Sequence, residues 1–276
     1  MKNREKKITL LLILVFVTGL SLLLYPSVSD YWNSFHQTKL IAGYAETVSD
    51  MSRTDYERCW QDAVAYNSAL SGREEAYTLS EAERAVYENT LNVSGSGVMG
   101  YIQIPAIDLR LPIYHGTDEA VLQVAVGHLE WTSLPVGGEG THCVLSGHRG
   151  LPGAKLFTNL DKLAAGDVFT LCVLDEVLSY EVDQILTVEP TTVSDLQIED
   201  GQDYCTLVTC TPYGVNTHRL LVRGHRTETP RETETVRILS EAVQVEELSV
   251  AAFMAVPLLT VSLLILFAAA RIRRRR

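Results

Sequence analysis

Positive charge is scarce along most of this chain. Among its 276 residues, 23 are Lys or Arg and 34 are Asp or Glu. The first seven (MKNREKK) hold four of the basic groups and one acid, and the last six (RIRRRR) hold five and none. Residues 8–270 are left with 14 basic and 33 acidic groups, a net charge of −19. Such a body has no cationic surface for a phosphate backbone, which argues against nucleic-acid binding. The five cysteines, Cys59, Cys143, Cys172, Cys205 and Cys210, never fall two or three residues apart. That excludes the ligand spacing of a structural zinc site. Their odd number leaves at least one thiol unpaired, and whether Cys143 and Cys205 pair stays open. No Ala-x-Ala site follows the first apolar run, so a cleaved leader is disfavoured. With 46 % apolar and 21 % charged residues, a mainly disordered chain is ruled out.

What is present begins with two uncharged runs. Residues 8–24 (ITLLLILVFVTGLSLLL) are at the short end of what crosses a bilayer as a helix. Residues 248–270 (LSVAAFMAVPLLTVSLLILFAAA) are long enough to cross with tilt, and Pro257 is tolerable in a membrane helix. The alternative for each run is a buried core helix, and the flanks argue against it. MKNREKK precedes the first run, RIRRRR follows the second, and Glu246 and Glu247 lie on the opposite side of the second. By the positive-inside rule both termini are cytoplasmic and the intervening chain is extracytoplasmic. The expected order is a basic tail (1–7), an uncleaved signal anchor (8–25), the exported body, a second membrane helix (248–270) and a basic tail (271–276). The arginine tail is also drawn to anionic headgroups.

Within the exported body, Tyr31, Trp32, Phe35, Leu40, Ile41 and Tyr44 recur at helical spacing. Ser52 with Asp55 and Ser80 with Glu83 have capping-box spacing, predicting helices that run to about Leu70 and Asn89. Residues 26–97 therefore read as a helical segment that ends in the hinge VSGSG. From Val98 the texture changes. MGYIQIP, LRLPIYHG, HCVLSGH, DVFTLCVL, LSYEVDQILTVEP, YCTLVTC and HRLLVRGH are short runs rich in Val, Ile, Leu, Thr and Tyr, separated by Gly, Pro and Asp. They predict a mainly β domain, barrel or sandwich, over 98–226. Residues 227–247 are an acidic linker.

A cysteine nucleophile needs a base or cation nearby and a group to hold an oxyanion. Position narrows the candidates. CVLSGH (143–148) is an apolar run ending in Gly-His, and CTLVTC (205–210) is an apolar run ending in Thr-Cys. The loop TPYGVNT then leads into HRLLVRG. If the strands flanking that loop pair antiparallel, Cys210 and Arg219 share one end of the sheet. His128, in GHLE, reads as structural, and Arg149 and Arg223 read as surface residues. Asp118 and Glu119 read as a turn.

Thr-Leu-Val-Thr-Cys (206–210) followed by TPYGVNTHRLLVRGHR resembles the catalytic signature of sortases, the membrane-anchored cysteine transpeptidases of Gram-positive bacteria. GHLEWTSLPVGGEGTHCVLSGHRG (127–150) is similar to the catalytic-histidine region of the same family. The resemblance covers roughly residues 98–226. It implies a closed β-barrel of about eight strands, with Cys210 as nucleophile, His148 as general acid/base and Arg219 steadying substrate or oxyanion. Thr209 matches a position implicated in oxyanion contacts. No cofactor and no metal are implied. The implied reaction is cleavage of a Leu-Pro-x-Thr-Gly-like sorting signal between Thr and Gly, through a thioester, with transfer to an amine.

The helical segment before the barrel, the second membrane helix and the strings GHLEWTSLPVGG and CTPYGVNTHRLLVRGHR look most like the class C, pilin-polymerising group. The implied partners are pilin or surface proteins bearing a C-terminal sorting signal, the lipid bilayer and, for a wall-attaching alternative, a peptidoglycan precursor. The alternative of another class is an inactive membrane-tethered assembly factor. One hallmark departs. Many class C enzymes carry an Asp-Pro-aromatic lid before the barrel, whereas residues 66–97 contain no proline. The expectation is an open or loosely covered groove, with Tyr77 and Leu79 as the residues of this segment able to cover it.

Overall fold

The computed structural model describes residues 2–70 and 78–229. The expected second membrane helix, the linker from residue 230 onward and Tyr77 lie outside the described residues.

Helix α1 (Lys2–Ser49) fuses the first apolar run with the amphipathic stretch after it and passes through Pro26. Its first half is bare: Leu10, Leu12, Leu14 and Leu23 are 62–74 % exposed. A core helix would hide these side chains, so the buried-helix alternative fails for this run. Among the described residues, this is the one helix long and apolar enough to cross a membrane. The second half of α1 packs on the body of the protein through Ile41, Tyr44 and Val48. The buried Tyr44 hydroxyl donates to the Met99 carbonyl at 2.8 Å and accepts from the Leu174 amide at 2.7 Å.

Two capped helices follow. The Asp55 amide donates to the Ser52 hydroxyl at the start of α2 (Arg53–Leu70). Near its end the buried Asn67 side chain accepts from the Leu134 amide and donates to its carbonyl. Helix α3 (Glu81–Asn89) opens on a complete Ser80–Glu83 capping box, which satisfies two end amides reciprocally. Both expected capping positions are found. Tyr87 fixes α3 to the body: its hydroxyl contacts His128 Nδ1 at 2.9 Å and accepts from the Gly116 amide at 2.8 Å.

The remainder is a closed barrel of eight strands: β1 (Val98–Ile104), β2 (Leu109–His115), β3 (Val126–His128), β4 (Thr141–Ser146), β5 (Val168–Val173), β6 (Glu176–Val188), β7 (Asp203–Thr211) and β8 (His218–Thr227). The order around the barrel is β1-β2-β3-β4-β7-β8-β6-β5. A short helix α4 (Glu119–Leu122) lies between β2 and β3. Seven strands coincide with the apolar runs of the sequence. The eighth, β3, has three residues, too few to display alternation. Closure, rather than a sandwich, follows from the pairing of β5 with β1 at Tyr101–Cys172, which leaves the sheet without edges.

The register of β4, β7 and β8 matters most for function. β4 and β7 run parallel, from Thr141 opposite Asp203 to Ser146 opposite Val208. β7 and β8 run antiparallel, with Cys210 opposite Arg219. Side chains alternate across the sheet. Cys143, Leu145, Cys205, Leu207, Leu220 and Val222 enter the main core. Val144, Val208 and Leu221 face the other way, into a smaller cluster with Leu196. Cys143 and Cys205 are direct cross-strand neighbours, and none of the five cysteines forms a disulfide.

Candidate active site

The site is assembled by continuing the register of these three strands. Ser146 opposes Val208, so two further residues along each parallel chain bring His148 beside Cys210. The main chain holds this extension in place. The Gly147 amide donates to the Val208 carbonyl at 3.0 Å, and the Thr209 hydroxyl donates to the Gly147 carbonyl at 2.7 Å. Arg219 lies across from Cys210 on the other side. With neighbouring strands about 4.8 Å apart, the thiol and guanidinium carriers sit on adjacent strands, and the imidazole carrier lies two residues past the end of β4, the strand on the other side of β7. Cys210 and Arg219 have the parity of Val208 and Leu221, so they share the outer face of the barrel. Cys210, His148 and Arg219 are all half-buried.

Thr209 has the opposite parity. Its side chain is buried and its hydroxyl is committed to Gly147. It therefore meets the Cys210 face only through its backbone. Its side chain clamps the end of β4, and thereby His148, against β7.

His148 stands at the start of a loop that returns to its own backbone, where the Phe157 amide donates to the His148 carbonyl at 3.1 Å. Its Nε2 is screened from solvent and has no hydrogen-bond partner among the described residues. The nearest opposite charge is Glu119 Oε2 of α4, at 3.8 Å on a side chain that is 74 % exposed. A shielded ring nitrogen without a partner is unusual in a folded protein, and it suits a group that must exchange a proton with something bound. Arg219 donates to the carbonyls of His218 and Asn216 at its own loop end, leaving the rest of its donor fork for a ligand.

Two neighbours differ from the sequence reading. Arg149 is no surface residue: its side chain is 9 % exposed, paired with Asp161, donating to Thr211 Oγ1 at 3.3 Å and lying over the Tyr213 ring. It ties the loop after β4 to the loop after β7, the two loops that carry His148 and follow Cys210. Arg223 is also largely covered, held by Asp183 and stacked over Tyr204 at 4.1 Å. Glu119, expected in a turn, opens α4 instead, and its approach to His148 left no sequence signal because it is made across elements 29 residues apart. His128 is structural as expected: fully buried, bonded to Tyr87 and to the Ser133 carbonyl. His142 is structural too, held between the Gln197 carbonyl and Thr206 Oγ1. Burial depresses its pKa to about 4. Leu79 is half-buried and lines an apolar cleft of about 880 Å³ between α2 and α3, to which none of the three site residues contributes. Among the described residues, no cluster of His, Cys, Asp and Glu is arranged to hold a metal.

Residues 102–227 match the sortase domain family model. The chain is 50 % identical to the crystal structure of sortase C1 from Streptococcus agalactiae, covering 70 % of this chain and all of that one, with a TM-score of 0.68. The chain belongs to the sortase family. Sortases are cysteine transpeptidases, and the barrel here is a sortase barrel. A Streptococcus pneumoniae sortase C structure, described as informing catalysis and pilin substrate specificity, is 47 % identical over 69 % of this chain and 97 % of that one, with a TM-score of 0.62. A Clostridium perfringens sortase C, solved with the C-terminal cell wall sorting motif, is 44 % identical over 69 % and 99 %, also at 0.62. The structural neighbours are thus class C sortases.

Proposed function

We propose that this sortase is anchored in the membrane by the apolar half of α1 and joins pilin subunits, with Cys210, His148 and Arg219 as its catalytic residues. The observation that supports the reading is the register: antiparallel β7–β8 pairing sets Cys210 opposite Arg219, and parallel β4–β7 pairing runs the chain that leads into His148 alongside β7. Their chemistry is complementary. The Cys210 thiolate attacks the carbonyl between Thr and Gly of a sorting signal, and the developing oxyanion is held by the Arg219 guanidinium and backbone donors. Collapse expels the glycine amine, which takes its proton from His148, and leaves a thioester on Cys210. A lysine amine of the next subunit then attacks the thioester and gives its proton to His148. The amide forms and the thiolate is released. The pilin description of the pneumococcal neighbour favours this substrate class over wall attachment alone, and the sorting-motif description of the clostridial neighbour supports a C-terminal sorting signal as the substrate.

The test incubates the chain with sorting-signal peptides and lysine-bearing pilin domains and identifies the new bond by mass spectrometry. A Thr–lysine isopeptide is expected. Transfer only to a cross-bridge amine would favour the wall-attaching alternative. Cys210→Ala should abolish the thioester, while Cys143→Ala, deep in the core, should leave most of it. Equal loss in both would identify the wrong cysteine.

A further inference from the structure

The tether of this protein meets the barrel at its catalytic end. The Asn33 side chain donates to the Gly153 carbonyl at 2.6 Å, and the Asp30 carboxylate accepts from the Lys155 amide at 2.9 Å. Gly153 and Lys155 lie in the loop that starts at His148 and is closed by the Phe157–His148 hydrogen bond. From there α1 runs away from the site. Gln37 donates to the Val124 carbonyl, and Tyr44 reaches Leu174 at the β5–β6 turn. Strand β6 leaves that turn at Glu176 and ends at Val188, opposite Arg219. The order of contacts along α1 is therefore catalytic rim first and remote turn last.

Chain connectivity then fixes the height of the rim. The apolar run ends at Leu24. Asp30 and Asn33 lie six and nine residues on, about 9 and 14 Å along a helix. Even a fully extended chain from Leu24 would place Asp30 no more than about 22 Å away. The side chains at this level suit a headgroup layer. Tyr25 and Trp32 of α1 are 60 % and 54 % exposed, as interfacial aromatics are. On the β7–β8 loop beside the site, Tyr213 and Val215 are 60 % and 64 % exposed. The Lys155 ammonium lies 3.5 Å from Asp30 Oδ2, on a side chain that remains 77 % exposed.

We infer that the catalytic rim, formed by the loop from His148 to Lys155 and the β7–β8 loop, is a lipid-facing surface that rests against the headgroup layer. This rests on the proposed reading of α1 as a membrane anchor. It means that the site works on signals presented at the bilayer surface, while the opposite end of the barrel points into the aqueous space.

The test uses the full chain in vesicles of phosphatidylcholine and phosphatidylglycerol carrying nitroxide-labelled headgroups. A fluorescent amino acid is placed at position 215, on the rim, or at position 200, in the exposed loop before β7. Quenching several-fold stronger at 215 than at 200 is expected, and equal or reversed quenching overturns the inference. A second variant carries seven helical residues inserted after Tyr25, lifting the rim by about 10 Å. Cleavage of a membrane-anchored signal should fall at least about tenfold, which is 1.4 kcal/mol, while cleavage of a soluble signal peptide stays unchanged. Undiminished cleavage of the anchored signal also overturns it. If the unmodified chain cleaves neither substrate, the transpeptidase reading fails, and the quenching comparison still decides the orientation.

Discussion

The Thr209 hydroxyl donates to the Gly147 carbonyl across β7 and β4 at 2.7 Å, in the interior of the barrel and directly behind the Cys210 face. It ties β7, one residue before Cys210, to the residue that precedes His148. Thr209→Val keeps the shape and leaves the Gly147 carbonyl without this donor. A loss of about 1–3 kcal/mol in urea unfolding is expected, with kcat falling more than KM rises. Thr209→Ser should restore both. Unchanged kcat in Thr209→Val would show that the clamp does not hold His148.

Gly147 has no room for a side chain. A Cβ there would lie 2.7 Å from the Phe157 ring, and the Phe157 amide is bonded to the His148 carbonyl. Gly147→Ala should push that turn away, cost about 1–3 kcal/mol in stability and lower turnover through a displaced His148. A thermal melt with a turnover assay checks it, and wild-type behaviour in both would refute the packing argument.

Arg219 is half-exposed and bonded to carbonyls of its own loop, so it holds little of the fold together. Arg219→Ala should reduce thioester formation by about 10²–10³-fold, the usual effect of removing an oxyanion donor. The unfolding midpoint should move little. Arg219→Lys should recover only part of the rate, since a single ammonium cannot reproduce the planar fork. A full-rate Ala variant would remove Arg219 from the reaction.

Stability should fall in mild acid, and His142 is one cause. Burial holds its pKa at about 4 in the folded chain, against about 6.5 when unfolded. Above pH 6.5 both states are neutral and its contribution is complete. Between 6.5 and 4 the unfolded chain takes up a proton that the folded chain refuses, so stability drops as pH falls, by on the order of 3 kcal/mol in total. His115, whose pKa burial also lowers, acts in the same direction. Urea midpoints measured from pH 7.5 to 4.5 should decline less steeply in His142→Asn than in the parent. Parallel slopes would assign the acid sensitivity elsewhere.

Local pattern was enough to read much of this molecule from its residues. Charge-free length and basic flanks marked the α1 span, Ser-x-x-acid spacing marked the starts of α2 and α3, and period-two runs marked seven strands. Positions at the ends of such runs singled out Cys210, His148 and Arg219 as candidates, and the resemblance to sortases supplied their expected roles. Those signals are local: capping, alternation and apolar length act within a few residues. What the sequence could not express was decided across the chain. The parallel pairing of β4 with β7 put His148 beside Cys210. Opposite parity turned Thr209 inward. Burial made Arg149 an internal link between loops, and α4 brought Glu119 towards His148 from 29 residues away. Closure of the barrel and the docking of α1 at the catalytic rim are likewise long-range. They depend on which hydrogen-bonding edges and apolar faces meet once the chain has collapsed, and no short window of residues encodes that choice.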